Sequence, residues 1–523
     1  MLTACRLTPI SIKVMMYIIV KTHEAKEGDF LAKFKFDNQP KLTYLTESQV
    51  KMMHEKALEI LERAGMCFQS EAALKILEDK GCMVDYDSNI VKFKPEFIEE
   101  CVQKAPETWE LYDRDGNYAM TLGDGSFTFD PGSSGLNFLE SDNLTARENV
   151  ADDLRKIYIL ADALDGYGLQ ATSLSPSDVP ADICDVYRVY LYLKNSSKPI
   201  ITGAFDFDGV ETIASVAAAV SGGFDVLREK PFVIYDVCPT TPLEYNDVKS
   251  QNLIDLAKLG LPVETISCPI MGTASPVTLA GSLLMHLAET LSGIALVQSV
   301  NPGNPMVFGG APMTFDMRSF TASLNSVESS IIAGCYAQVG RWYGLPVHCY
   351  AGLADSKIVD AQAGLESAMS GLAAVLGGVN IMSGPGMLDF VNTFSLEKLV
   401  IDNEIIAMAK RIFRGMEISD ETLAVDMICD LGHGGDYLHQ KHTMKNFKKE
   451  LYIPPHTIDK MNRDKWEKSG KTNIYDRAKE DVARILDTHK PKPLGDEREA
   501  RLEAAFRKIM DSKNIKSLPF VPI

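Results

Sequence analysis

Six times between Lys198 and Gly386 the chain repeats one phrase: a turn, an apolar β-branched run, then a cluster of Gly, Pro, Ser, Thr, Cys or aromatic residues. The runs are PIITGAFD (199–206), PFVIYDVCPTTPL (231–243), PVETISCPIMGTASP (262–276), PMVFGGAPMTFD (305–316), PVHCYAGLADSK (346–357) and VNIMSGPGMLDF (379–390). Their first strand residues, Ile200, Phe232, Val263, Met306, Val347 and Asn380, lie 32, 31, 43, 41 and 33 residues apart. A strand, a helix and two loops require that length, so the phrase reads as a βα repeat. Two earlier runs, SFTFDPGSSG (126–135) and GLQATSLSP (168–176), fit less cleanly and bring the count to eight. Eight units over about 290 residues suit a (β/α)8 TIM barrel within an α/β fold. The alternative is an open doubly wound sheet, but no G-x-G-x-x-G follows a first strand.

The rest of the chain divides around that barrel. Residues 1–40 read as an N-terminal extension outside the fold; VMMYIIV (14–20) is too short to span a bilayer, and no A-x-A-like cleavage site follows it. Residues 41–125 read as a helical region, with Thr46 and Gln49 as a capping box, a helix from Ser70 to Lys80 stopping at Gly81, and another from Pro95 to Lys104. This layer is expected to cover one end of the barrel. The barrel occupies 126–415, and a charged helical extension fills 416–523. The small-residue helix at 275–298 fits a subunit face as well as the barrel wall, in keeping with a homo-oligomer.

A formal net charge of -18 and a pI near 5.1 argue against nucleic acid, whose phosphates need a basic footprint. Small molecules and protein partners remain. Ten cysteines are scattered singly, without C-x-x-C, and read as reduced thiols, which points to the cytoplasm and away from a membrane.

Catalytic groups in a barrel sit at the C-terminal ends of strands and in the loops that follow. That rule collects Asp130, Asp206, Tyr235, Asp236, Thr240, Thr241, Glu264, Ser267, Cys268, Phe308, Phe315, Asp316, His348, Tyr350, Asp355, Lys357, Ser383 and Met387. Bases are few and rings are many. His348 is the one strand-borne histidine, no H-x-H or H-E-x-x-H occurs, and His433, His439 and His442 are loosely spaced outside the strands, so no metal site is expected. The cysteines are embedded in apolar runs, and a G-x-S-x-G elbow is missing. Lys357 could form a Schiff base, which keeps a barrel lyase or aldolase open beside a binding barrel without chemistry of its own. The positive signal lies elsewhere. FGGAPM (308–313), SGPGM (383–387) and DPGSSG (130–135) leave room for close backbone approach by a flat cofactor presented from outside. Tyr235, Phe308, Phe315 and Tyr350 could wall a cavity with ring faces and Glu264 could add negative potential, which suits a quaternary ammonium.

These segments carry a resemblance. LTESQVKMMHEKALEILERAG, FDPGSSG, ISCPIMGTASPVTLAG, VFGGAPMTFDM, LADSKIVDAQAGLE, IMSGPGML and GHGGDYLHQKHT, in order over roughly residues 41–490, resemble the trimethylamine methyltransferase family, particularly its members without pyrrolysine. The resemblance implies a (β/α)8 barrel of one-carbon metabolism, including methanogenesis. It implies a methyl group passed from a quaternary amine, glycine betaine first, to the Co(I) of the corrinoid (cobalamin) on a separate protein. No cofactor is then bound by the chain itself. On that basis Lys357, His348 and Glu264 are the candidate catalytic residues. Tyr235, Phe308, Phe315, Tyr350, Gly384 and Gly386 are the candidate substrate-binding residues, and His433, Gly434 and Gly435 are assigned to docking of the corrinoid protein. A carboxylate-bearing betaine would need donors at its far end, from His348, Lys357, Thr240 or the SGPG backbone.

Overall fold

In a β-strand alternate side chains face opposite ways, so each strand of a closed barrel offers one set to the axis and one to the surrounding helices. The computed structural model of the chain describes residues 39–132 and 134–522, which leaves the apolar run at 14–20 outside the described residues. Its central sheet has eight parallel strands: β1 (Thr128–Asp130), β2 (Gln170–Ala171), β3 (Ile200–Gly203), β4 (Val233–Val237), β5 (Val263–Ser267), β6 (Met306–Gly310), β7 (Val347–Tyr350) and β8 (Ile381–Ser383). They pair in chain order from β2 to β8, and β8 pairs with β1. A bridge between Phe129 and Tyr167 closes the ring, with Gly168 N–H donating to Phe129 O at 3.1 Å. The expected barrel is present, and each of the six long runs begins its strand within one residue of the expected position.

Helices link the strands. The helix Asp247–Leu259 is capped by Asn246, whose side chain accepts from Lys249 N–H, and Ala361–Gly377 is capped in the same way by Asp360. The long helix Leu279–Val300 is apolar enough to cross a membrane by length and composition, but 78% of its apolar window is buried inside the protein. One face lies on β5 and β6, and the other is covered by the N-terminal helices Glu47–Arg63, Glu71–Asp79 and Pro95–Lys104. The Thr46–Gln49 capping box forms as read.

The N-terminal helical layer therefore flanks the barrel instead of covering an end, which corrects the sequence reading. A hairpin takes the end position. Its strands Trp109–Tyr112 and Tyr118–Leu122 send Trp109, Leu111 and Leu122 into one apolar cluster with Ile201, Ile234, Val307 and Ile381 from the barrel interior. Trp109 Nε1–H also donates to Met306 O at 3.3 Å. Beyond the barrel, Ile474–Thr488 packs on Leu396–Arg414, and Asp496–Ser512 packs on Gly209–Ser221.

The interior cluster fills the barrel below the polar layer, so its integrity sets the height at which the polar side chains stand. Ile234 is fully buried in it. Ile234→Ala should cost about 2–5 kcal/mol by loss of burial and creation of a cavity. The expected result is a clearly lower midpoint of thermal unfolding; an unchanged midpoint would mean that the cluster does not support the barrel.

Candidate functional site

The inward set follows from alternation. With Ile234 in the interior cluster, Asp236 also faces in and Tyr235 faces out; with Val307 inward, Gly309 is inward and Phe308 outward. The strand register then brings polar residues side by side. Asp236 stands against Gly203 and Glu264, Gly309 against His348, and Ser383 against both Tyr350 and Asp130.

These residues form a buried hydrogen-bonded chain. His348 Nδ1 meets Glu264 Oε1 in a short contact, and His348 Nε2 lies 2.8 Å from Ser383 Oγ. Ser383 Oγ–H donates to Asp130 Oδ2 at 2.8 Å. The Ser383 hydroxyl has one hydrogen, which goes to Asp130, so Nε2–H of His348 is the donor to Ser383. The array runs Glu264, His348, Ser383, Asp130, with every donor assigned.

Its electrostatics are lopsided. Burial pushes the Asp130 carboxyl well above the usual range, while His348 and Ser383 pull it down. Burial also raises Glu264 against the pull of His348, and raises Asp236 against Lys249. For His348, burial opposes the charged form, but Glu264, Asp130 and Asp236 outweigh it and hold the imidazolium to higher pH than an ordinary histidine. Three carboxyl groups thus share one imidazole. Among the described residues Glu264 Oε2 and Asp130 Oδ1 are buried without a hydrogen-bond partner. Buried carboxyl oxygens left without partners cost free energy.

Small residues make room for the acids. A Cβ on Gly309 would stand 2.0 Å from Glu264 Oε1, and one on Gly203 would stand 3.0 Å from Asp236 Oδ1. A small pocket adjoins the array, and Ser134, Thr172, Thr202, Asp236, His348 and Tyr350 are among its walls. The Tyr350 ring stands edge-on to His348, 5.6 Å between centroids.

The loops around the mouth are fastened from behind. Glu289 accepts from Thr241 Oγ1 at 2.9 Å, Leu243 N at 2.8 Å and Ser267 Oγ at 2.5 Å, which ties the loop after β4 to the end of β5. The buried Lys398–Asp402 pair holds the loop after β8 through Gly386 N–H, 2.7 Å from Asp402 Oδ2.

Of the residues named from sequence, Glu264, His348 and Tyr350 come together here. Phe308 and Tyr235 do not. Phe308 packs between His286, Tyr336 and Tyr343 in the helical layer, and Tyr235 is buried on that same outer side. Phe315 sits in the hairpin Met313–Asp316 and Thr321–Ser323 and packs on Phe320. Gly384 and Gly386 approach Ala351 O and the Phe394 ring, so protein fills the space beside them. Lys357 is 59% exposed, donates to Asp355 O at 2.8 Å, lies 3.5 Å from Asp389 and covers the Phe390 ring. His433 and Gly434 are exposed in the turn after the helix Val425–Leu431, and Gly435 beside them is half-buried. Asp130, Asp236 and Ser383 were legible as strand-end residues, but their convergence was not. Acids far apart in sequence, Asp130, Asp236 and Glu264, gather once β1, β4 and β5 close into one ring.

Comparison with known proteins gives a consistent result. The family model for trimethylamine methyltransferase matches residues 21–512. The chain is 35% identical over 467 residues to the glycine betaine methyltransferase of Desulfitobacterium hafniense, covering 89% of this chain and 96% of that one. It is 30% identical over 474 residues to a trimethylamine methyltransferase of the same species, covering 91% and 95%. The solved Methanosarcina barkeri monomethylamine methyltransferase superimposes with a TM-score of 0.50 at 13% identity over 90% of this chain and 88% of that one, a likeness of fold.

Glu264→Gln keeps an acceptor and removes the charge. The counter-charge that favours imidazolium is then lost while burial remains, so the His348 pKa should fall. An NMR titration of the imidazole should show it becoming neutral at lower pH than in the unsubstituted protein; an unmoved titration would break the assigned chain.

Proposed function

Since the chain belongs to the trimethylamine methyltransferase family, and so is a methyltransferase, we propose that it moves a methyl group from a quaternary amine, glycine betaine first, to the Co(I) of a corrinoid on a separate protein. The observation that carries this reading is the anionic barrel interior, in which Glu264 and Asp130 each present a buried carboxylate oxygen without a partner. A quaternary ammonium has no N–H to donate, but its charge answers theirs. The Tyr350 ring adds an attraction of about 0.5–2 kcal/mol if it faces the cation.

The chemistry asks little else of the chain. The N–CH3 bond breaks with its electron pair left on nitrogen, which turns the cation into a neutral tertiary amine. The acceptor cobalt supplies both electrons of the new bond to carbon. No proton is transferred, so no side chain has to act as base. The residues hold the ammonium with one methyl toward the mouth and exclude water, which lowers the entropic part of the barrier. The array of Glu264, His348, Ser383 and Asp130 fixes the site's charge, and Gly309 keeps the space that Glu264 occupies. The chain contains only standard residues, which favours a substrate whose methyl is already activated by a full positive charge. Lys357, bonded to Asp355 and Asp389 at the surface, fits a loop anchor better than a Schiff base. His433, Gly434 and Gly435 are kept as contacts to the corrinoid protein, because His433 and Gly434 stand exposed beside exposed apolar residues that include Val425, Ile428 and Leu438.

The decisive assay is demethylation of glycine betaine with reduced corrinoid protein. Tyr350→Ala should raise KM several-fold, up to about thirtyfold. Phe308→Ala should leave KM nearly unchanged and lower thermal stability. Absence of transfer from a panel of quaternary amines would sink the reading. Acidity gives a second check. Asp130 and Glu264 are raised by burial, so they take up protons as pH falls, starting above the ordinary carboxylate range near 4. Cation affinity should therefore weaken toward acid pH, and binding should release protons, seen as a dependence of the calorimetric heat on the buffer's ionisation enthalpy.

A further inference from the structure

The wall of the pocket on the side of β2 has the opposite character from its acidic floor. Arg188, on the helix Ala181–Asn195, is fully buried, and its Nη2–H donates to Asp185 Oδ1 at 2.9 Å. Its Nη1 reaches Ser134 Oγ at 3.3 Å and Thr172 O at 3.4 Å. Both Ser134 and Thr172 line the pocket. Among the described residues Arg188 Nε is buried with no acceptor. A buried guanidinium with an unused N–H, one layer behind the pocket wall, needs a further acceptor.

Ser134 is arranged to serve as the intermediary. It holds a left-handed φ of 61°, uncommon for a serine, with its N–H on Thr172 O at 3.1 Å. Because Ser134 Oγ accepts from Arg188, its own hydrogen remains available to donate. Thr172 Oγ1 and Thr202 Oγ1, 3.3 Å apart, add a second hydroxyl pair to the same wall. The exposed Phe205 ring packs near two cations, with Arg188 Cζ 5.4 Å and Lys249 Nζ 4.8 Å from its centroid. Asp185 offsets part of the Arg188 charge and anchors it, with Asp185 Oδ2 accepting from Phe205 N–H. The pocket therefore runs from Asp236, His348 and Ser383, with Glu264 and Asp130 hydrogen-bonded behind them, to a donor-rich wall backed by Arg188.

We infer that Ser134, backed by Arg188 and joined by the Thr172–Thr202 hydroxyls, forms a subsite for a carboxylate, so that the pocket takes a zwitterion with an ammonium at one end and a carboxylate at the other. This rests on the quaternary-amine reading and assigns the far end of that substrate. The donors named for it from sequence were His348, Lys357, Thr240 and the SGPG backbone, of which Gly386 N–H already donates to Asp402. His348 is already engaged at both ring nitrogens, and Lys357 and Thr240 are exposed loop residues. In this arrangement Ser134 and Arg188 decide selectivity and take no part in bond breaking.

The test is calorimetric binding to the full chain, without the corrinoid protein, using glycine betaine and tetramethylammonium, a cation that lacks a carboxylate. The unsubstituted chain should bind glycine betaine more tightly. Ser134→Ala and Arg188→Lys should weaken glycine betaine about tenfold or more, as expected for losing a hydrogen bond to a charged group, and leave tetramethylammonium within about threefold. Equal weakening of both ligands, or none of either, overturns the subsite while the cation site stands. If the unsubstituted chain binds neither, the quaternary-amine reading falls and takes the subsite with it. Should Arg188→Lys fail to fold because Asp185 loses its partner, Ser134→Ala decides alone.

Discussion

Glu264 and His348 meet where neither can be hydrated, and most of the polar interior is arranged around that contact. A carboxylate and an imidazolium removed from water cost more than their attraction returns unless further hydrogen bonds complete them. Ser383 and Asp130 complete the imidazole, since His348 Nε2–H and the Ser383 hydroxyl form a relay that ends on Asp130 Oδ2. Gly309 is required because any side chain there would occupy the position of Glu264 Oε1. The interior cluster around Ile234 and Trp109 then seals the array from below. Completion stops short on one side. One oxygen each of Glu264 and Asp130 is left over, buried without a hydrogen-bond partner.

Much of this architecture could be read from residues in order. Strand starts at Ile200, Val263, Met306 and Val347 coincide with the apolar runs, and Thr46, Asp360 and Asn246 cap their helices as their side-chain chemistry dictates. These features are local, set by neighbours within a few positions. The family resemblance, carried by seven separate segments, likewise depends on the order of residues alone, and the match over residues 21–512 agrees with it.

The site was less legible, for a specific reason. Phe308 and Tyr235 stand at strand ends, as a cage would require, but alternation against Val307 and Ile234 turns both toward the helices. Fixing one interior residue per strand would have sorted them. The convergence of Asp130, Asp236 and Glu264 is of another kind. It depends on which strands lie adjacent after closure and on how β5 and β7 flank β6, so that Glu264 reaches His348, 84 residues away, over Gly309. Nothing local encodes that. The N-terminal helices illustrate the same limit: their amphipathic faces are plain in sequence, but only the fold reveals that the partner face is the helix Leu279–Val300 and not the barrel's end.

Few bases stand at the strand ends, and those that the closed barrel gathers are already engaged. Acids and an imidazole are present, but they are committed to one another: Nδ1 of His348 faces Glu264, Nε2 faces Ser383, and neither ring nitrogen is left over for a substrate proton. Such an array is suited to holding charge. A bound ammonium would lower the raised carboxyl groups toward their ordinary range, so binding energy would be concentrated on the charged reactant. In the proposed reaction that charge disappears from nitrogen as the methyl departs, and the neutral amine loses the attraction that held it. The interaction that admits the substrate would thereby also favour release of the product, without any proton changing hands.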